Sequence, residues 1–298
     1  MNNPYFGRLL TAMVTTFKAD GSLDAEKTAD FGEWLLANGS DALCVAGTTG
    51  EAPTMSAEEK RELFTTVIKR INGRAPIVVG TGSNNTAQTI EMTKMAEEVG
   101  ADGALVVGPY YNKPTQESFY QHFKAVANAT KLPVIIYNVP GRTGTNILPA
   151  TVARIAKDCP NVVAIKEAAG NVAQVAQLYS LLPHDFTIYS GDDGLILPFM
   201  SVGASGLISV LGNLGGELLN QLMDAYQKGD IQLAKDLNVK MIAQANAMFV
   251  VSNPIPVKEA VGLATPFNAG PLRLPLYKMG DEERAKMVKI MQETGLIR

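Results

Sequence analysis

Eight short apolar runs, each followed by an amphipathic segment of helix length, and a carboxy-terminal stretch where such runs stop predict an α/β chain. The fold expected is a (β/α)8 TIM barrel followed by a small C-terminal α-helical domain. The runs span residues 9–15, 41–46, 76–80, 103–108, 133–138, 162–166, 186–190 and 206–210. Their starts are separated by roughly 20 to 35 residues, enough for a strand, a crossover helix and two loops. Ile77-Val78-Val79 and Val134-Ile135-Ile136 are apolar on both faces, as strands buried within a parallel sheet must be. A doubly wound open sheet is the rival, but no G-x-G-x-x-G follows the first run.

The intervening helices carry their own signals. In the first, Phe31, Trp34 and Leu35 fall at i, i+3 and i+4, a core stripe that ends before Asn38-Gly39. Trp34 is read as packing. Ser56-Ala57-Glu58-Glu59 is a capping box, in which the hydroxyl caps an orphan N–H and the glutamate reaches back to the cap. Asn85-Thr86-Ala87-Gln88 repeats the signal before a helix closing at Gly100. After residue 229 the strand signal stops. Segments 231–250 and 282–293 read as helices, and Asn253-Pro254-Ile255-Pro256 starts a shorter one, because proline is tolerated in a first turn. The expected division is a catalytic barrel over 1–229 and a helical domain over 230–298. No low-complexity linker separates them, so they should pack tightly.

Apolar residues make up 46% of the 298 and charged residues only 18%, so much of the surface must be buried, in part between subunits. A net charge of −3 leaves no electrostatic footprint for nucleic acid or anionic membrane. The amino terminus, Met1 to Tyr5, lacks a leader pattern, and the most apolar stretch, 195–211, is broken by Pro198, Gly203 and Gly206. A cytoplasmic protein is expected. Cys44 and Cys159 read as small buried hydrophobes, and His122 and His184 as surface or helix-edge residues without metal-ligand spacing. No metal is expected. The chemistry therefore falls to Lys, Tyr, Arg, Thr, Asp and Glu.

Barrel sites lie at the carboxyl ends of the strands. There the sequence places Gly47-Thr48-Thr49-Gly50-Glu51, Tyr110-Tyr111, Tyr137 to Thr143, Lys166-Glu167, Gly191-Asp192-Asp193 and Ile208-Ser209. Lys166 ends an uncharged run and should point into the barrel top, where desolvation favours the neutral, nucleophilic amine. The competing reading is a lysine that snorkels outward or pairs with Glu167. Tyr137 ends the neighbouring strand, so its hydroxyl is within reach of Lys166; otherwise it is a half-buried ring tied to backbone. Arg142, in a tight loop between Gly141 and Gly144, suits bidentate capture of a carboxylate, or is a surface arginine. Thr48 and Thr49 sit in a turn whose N–H and hydroxyl groups suit an anion. Asp192 and Asp193 form a metal pair or, more plainly, cap the next helix.

Taken in order, Gly47-Thr48-Thr49-Gly50-Glu51, Tyr110-Tyr111-Asn112-Lys113-Pro114, Tyr137 to Gly144, Lys166-Glu167 and Gly191-Asp192-Asp193 resemble the 4-hydroxy-tetrahydrodipicolinate synthase (dihydrodipicolinate synthase) family of pyruvate-dependent class I aldolases. The likeness runs on through Asn253 to Lys258 and Leu272-Arg273-Leu274-Pro275, covering essentially the whole chain. It implies condensation of pyruvate with L-aspartate 4-semialdehyde through a Schiff base on Lys166, an early step of lysine and diaminopimelate biosynthesis, with no organic or metal cofactor. Thr48 and Thr49 would hold the pyruvate carboxylate. Tyr137, Thr48 and Tyr111 would relay protons, with Tyr111 coming from a neighbouring subunit of a homotetramer built as a dimer of dimers. Arg142 would hold the aldehyde's carboxylate, and the carbonyls of Gly191 and Ile208 would line the pocket. N-acetylneuraminate lyase and sugar-acid aldolases share the lysine and tyrosine but usually lack an arginine at the position of Arg142. A non-catalytic keto-acid binder is the reading from another class; every expected catalytic position is filled, which weighs against it. Lysine-sensitive members carry histidines and a glutamate where this chain has Ala57, Lys60 and Gln88, which implies weak or absent feedback inhibition by lysine.

Overall fold

The computed structural model describes residues 4–298; Met1 to Asn3, three of the five residues read as lacking a leader, lie outside it. Among the described residues, eight parallel strands close into a barrel in sequential order. They are β1 (Leu9–Ala12), β2 (Ala42–Val45), β3 (Ile77–Gly80), β4 (Gly103–Val107), β5 (Val134–Asn138), β6 (Val162–Glu167), β7 (Thr187–Ser190) and β8 (Gly206–Ser209). Alternation decides what each residue does. Leu10, Cys44, Val78, Ile135, Ala164 and Ile208 point inward and fill the barrel. Leu9, Leu43, Val79, Ile136, Ile165 and Leu207 point outward into the layer packed against the helices. Both sets are almost wholly buried, which is why these strands read as unbroken apolar runs.

The first strand stops three residues before the run that predicts it. Met13 N–H still donates to the Cys44 carbonyl, but around and beyond it side chains take over: Val14 N–H donates to Asn213 Oδ1, Asn213 Nδ2 donates to the Ala12 carbonyl, and Thr16 N–H donates to Thr28 Oγ1. Ser56 and Glu59 form the expected capping box on the helix Ala57–Ile71. Asn85 caps Thr86–Glu98, and Gly100 takes the left-handed conformation. Trp34 stacks on Phe31 and meets Phe267 edge-on, so it packs the first helix against the tail. His122 departs from expectation. It is buried, with Nδ1 hydrogen-bonded to Thr86 Oγ1 at 2.9 Å, because the apolar face of Gln116–Asn128 rotates it inward.

After the barrel's last helix, Glu217–Gln227, come Ile231–Ala247, Ile255–Ala264 and Asp281–Glu293. The long one packs on both Glu217–Gln227 and Asp281–Glu293. The chain then returns to the barrel rim. Phe17 N–H donates to the Ala269 carbonyl at 3.0 Å, and a Cβ at Gly270 would overlap the Phe17 carbonyl oxygen. No helix among the described residues is long and apolar enough to cross a membrane.

Candidate active site

Lys166 sits on β6 with the inward parity of Ala164, and only 6% of it is exposed. Strands β5 and β6 pair so that Tyr137 faces Lys166, and the lysine Nζ lies 4.5 Å from the centre of the Tyr137 ring. The amine thus rests on the face of the Tyr137 ring. The outward readings of this lysine fail. Glu167, its neighbour, has the opposite parity and is fully buried behind the barrel wall. Its carboxylate accepts from Asn138 Nδ2, from Gln174 Nε2 and from the Ala169 N–H, and burial pushes its pKa up. Nor is the Tyr137 hydroxyl tied to a backbone carbonyl among the described residues.

Gly191, just past β7, packs against the stem of Lys166: a Cβ there would lie 3.1 Å from both Cγ and Cε of the lysine. Ile208 lies inside the barrel on β8, paired with Leu10 of β1. Beneath the lysine, Cys44 is buried in the barrel, and that burial pushes its thiol up to about 11 despite the lysine's nearby positive charge.

The turn after β2 is closed by three backbone bonds, from Gly50 to Gly47, Glu51 to Thr48 and Ala52 to Gly47. The N–H groups of Thr48 and Thr49 donate to no backbone carbonyl among the described residues, which leaves them for an anion. Glu51 holds a left-handed backbone, φ 55°, that costs a non-glycine residue roughly 1–2 kcal/mol. Its carboxylate offsets this cost by accepting from Lys258 Nζ at 2.5 Å and from the Arg273 N–H at 2.9 Å. Both partners belong to the tail, and both cations lie over the Phe17 ring. Thr49 is buried, and its Oγ1 accepts from Asn253 Nδ2 at 3.1 Å.

Arg142 occupies a short helical turn, Pro140–Thr143, where the sequence predicts a tight loop: Pro140 starts it and Gly144 ends it in a left-handed conformation. Its Nη2 donates to the carbonyl of Asn253 at 3.1 Å. Thr48, Tyr137, Arg142, Tyr110 and Lys60 line one cleft of about 410 Å³ that has no Asp or Glu in its wall. Two cations and no carboxylate make it a place for anions. Tyr111 is not brought there; it is 89% exposed at φ 72°. Lys60 and Gln88 also line this cleft, and burial lowers the pKa of Lys60.

Asp192 and Asp193 are not a metal pair. Asp192 caps the next turn through the Gly194 N–H, while Asp193 turns into the barrel wall. There it accepts from the Ser209 hydroxyl and the N–H groups of Val210 and Leu211, fixing the end of β8. Asn253 and Lys258 belong to the site's support, although the sequence shows them only as a helix start and as part of the family likeness, without a role at the site. A lysine five residues after Asn253, ending an uncharged stretch, is the signal that points to it.

A family model described as the dihydrodipicolinate synthetase family matches residues 5–294. Over 297 residues the chain is 46% identical to a 4-hydroxy-tetrahydrodipicolinate synthase of Desulforamulus reducens, covering 100% of each sequence. It is similar in structure to a dihydrodipicolinate synthase of Cyanidioschyzon merolae with lysine bound (TM-score 0.96, 40% identity, 99% of this chain and 100% of that one). A dihydrodipicolinate synthase of Bacillus anthracis matches with TM-score 0.94 and 43% identity, over 97% of this chain and 98% of that one.

Proposed function

The chain belongs to the dihydrodipicolinate synthetase family, and from that premise we propose how its residues divide the work. Its activity is that of a 4-hydroxy-tetrahydrodipicolinate synthase, the condensation of pyruvate with L-aspartate 4-semialdehyde in lysine and diaminopimelate biosynthesis. Lys166 is the nucleophile. Its neutral amine adds to the keto carbon of pyruvate, and loss of water leaves a protonated imine. That cation is an electron sink, so the pyruvate methyl group loses a proton and an enamine forms without a further cofactor. The enamine carbon attacks the aldehyde carbon, whose oxygen takes a proton. The amino group of the semialdehyde portion then displaces Lys166 from the imine carbon and closes the ring.

Thr48 and Thr49 bind the pyruvate carboxylate through their free N–H groups and hydroxyls. Tyr137 passes protons to and from the forming imine with Thr48 and with Tyr111 of a neighbouring subunit. Arg142, in the cleft wall, takes the second carboxylate, while Gly191 packs the Lys166 stem and the carbonyls of Gly191 and Ile208 line the pocket around the lysine. The assembly is a homotetramer, a dimer of dimers, in the cytoplasm. The observation that carries this reading is the buried Lys166 amine resting on the Tyr137 ring beside a carboxylate-free cleft.

Borohydride reduction in the presence of pyruvate, followed by peptide mass spectrometry, tests it. An adduct on Lys166 that disappears in a folded Lys166→Ala variant is the expected result. An adduct on another lysine, or wild-type turnover in the variant, removes Lys166 from this role. Turnover with aspartate semialdehyde and none with N-acetylneuraminate is expected of the same preparation, together with little inhibition by sub-millimolar lysine.

A further inference from the structure

We infer that Asn253 is a positioning residue for the pyruvate subsite: its amide fixes the Thr49 hydroxyl as a donor toward the substrate carboxylate. The inference rests on the reading that Thr49 binds that carboxylate. A hydroxyl has one hydrogen and two lone pairs. Thr49 Oγ1 spends a lone pair on Asn253 Nδ2, which has no acceptor to offer in return, so the Thr49 hydrogen must point elsewhere. Packing does not account for the amide. Asn253 is only 5% exposed, and its Oδ1 is buried without a hydrogen bond among the described residues. A buried acceptor left unpaired is unfavourable, and an apolar side chain of similar volume avoids that cost. The position therefore supplies a donor at the expense of an idle acceptor.

Two further contacts join the same segment to the site. The Asn253 carbonyl accepts from Arg142, and Lys258, one turn into the helix Ile255–Ala264, holds Glu51 at the end of the Thr48–Thr49 turn. Only the Thr49 contact comes from the Asn253 side chain. Changing that side chain should disturb the pyruvate subsite and leave the Arg142 contact, which is to backbone, in place.

Asn253→Asp, nearly the same shape, reverses the hydrogen bond. A carboxylate only accepts, so the Thr49 hydrogen turns toward it and a negative charge faces the substrate's own. In the full-length enzyme, Asn253→Asp should raise the pyruvate KM by about ten- to a hundredfold. The KM of the aldehyde should stay within about twofold, since that substrate depends on Arg142. Asn253→Ala should raise the pyruvate KM less than Asn253→Asp does, and in a Thr49→Val background it should add nothing further. A purely structural asparagine predicts the reverse order, with the near-isosteric aspartate milder than alanine. That order, an equal rise in both KM values, or full additivity of Asn253→Ala with Thr49→Val would overturn the inference. If wild-type enzyme forms no pyruvate adduct on Lys166, the underlying reading fails. If it does and the Asn253 variants bind pyruvate normally, this inference alone fails.

Discussion

Lys166 owes its direction to strand parity but its position to a glycine. A Cβ on Gly191 would approach Ala168 Cβ to 2.8 Å and the Cγ and Cε of Lys166 to 3.1 Å, so something has to move. The backbone at Gly191 is held by its N–H bond to the Glu167 carbonyl, whereas the far end of a lysine is flexible. Gly191→Ala should therefore leave the fold intact and push the amine off the Tyr137 ring. At 3.1 Å the lysine stem has to give by a few tenths of an ångström, less than the roughly 1 Å that costs about a hundredfold in rate. Single-turnover borohydride trapping should show imine formation slowed by up to about tenfold. An unchanged trapping rate would mean that the lysine is fixed by other contacts. At this scale parity and strand order were legible in the sequence: a lysine ending an apolar run on β6 had to face the end of β5. The partner of Thr49 was not, because Asn253 is separated from it by 204 positions and no local pattern records that contact.

Between elements, the least legible feature is a histidine. His122 lies on Gln116–Asn128 and bonds through Nδ1 to Thr86, in the first turn of Thr86–Glu98. Its Nε2 is buried with no hydrogen-bond partner among the described residues, and burial brings its pKa down from 6.5 to about 4. In the unfolded chain the ring titrates near its ordinary value and binds a proton that the folded ring refuses. Stability must therefore fall as the pH drops from about 6.5 toward 4, and this contribution levels off below that. The shift corresponds to a loss on the order of 3 kcal/mol across the window. Denaturant unfolding at pH 7 and pH 4.5 measures it. His122→Asn should show a shallower fall than wild type, and an equally steep one would assign the acid sensitivity to other groups. A histidine inside a helical segment shows its face only through the surrounding stripe, and Phe119, Phe123 and Val126 pull this one inward. The capping box at Ser56 is local, and four consecutive residues spell it out.

For the whole molecule, closure of eight strands follows from their repeated spacing, but completion of the site does not follow from one chain. Tyr137 and Thr48 line the cleft, whereas Tyr111 stands 89% exposed on a left-handed backbone, a conformation that costs a tyrosine roughly 1–2 kcal/mol. An aromatic side chain so held and so exposed contributes nothing to its own cleft. The proposed assembly gives it a role if a symmetric interface carries it into a second subunit, which returns the favour. Two inactive chains should then repair each other. Lys166→Ala retains Tyr111, and Tyr111→Phe retains Lys166. Mixed and reassembled in equal amounts, half the pairs contain one of each, and one site in such a pair combines both intact residues. Activity should return to about a quarter of wild type, with the borohydride adduct confined to the Tyr111→Phe chains. Recovery should require reassembly from dissociated subunits and be absent when the two variants are merely combined after folding. If reassembled mixtures regain no more than the average of the two variants, Tyr111 does not act across a subunit boundary, and the proton relay must be completed from within a single chain.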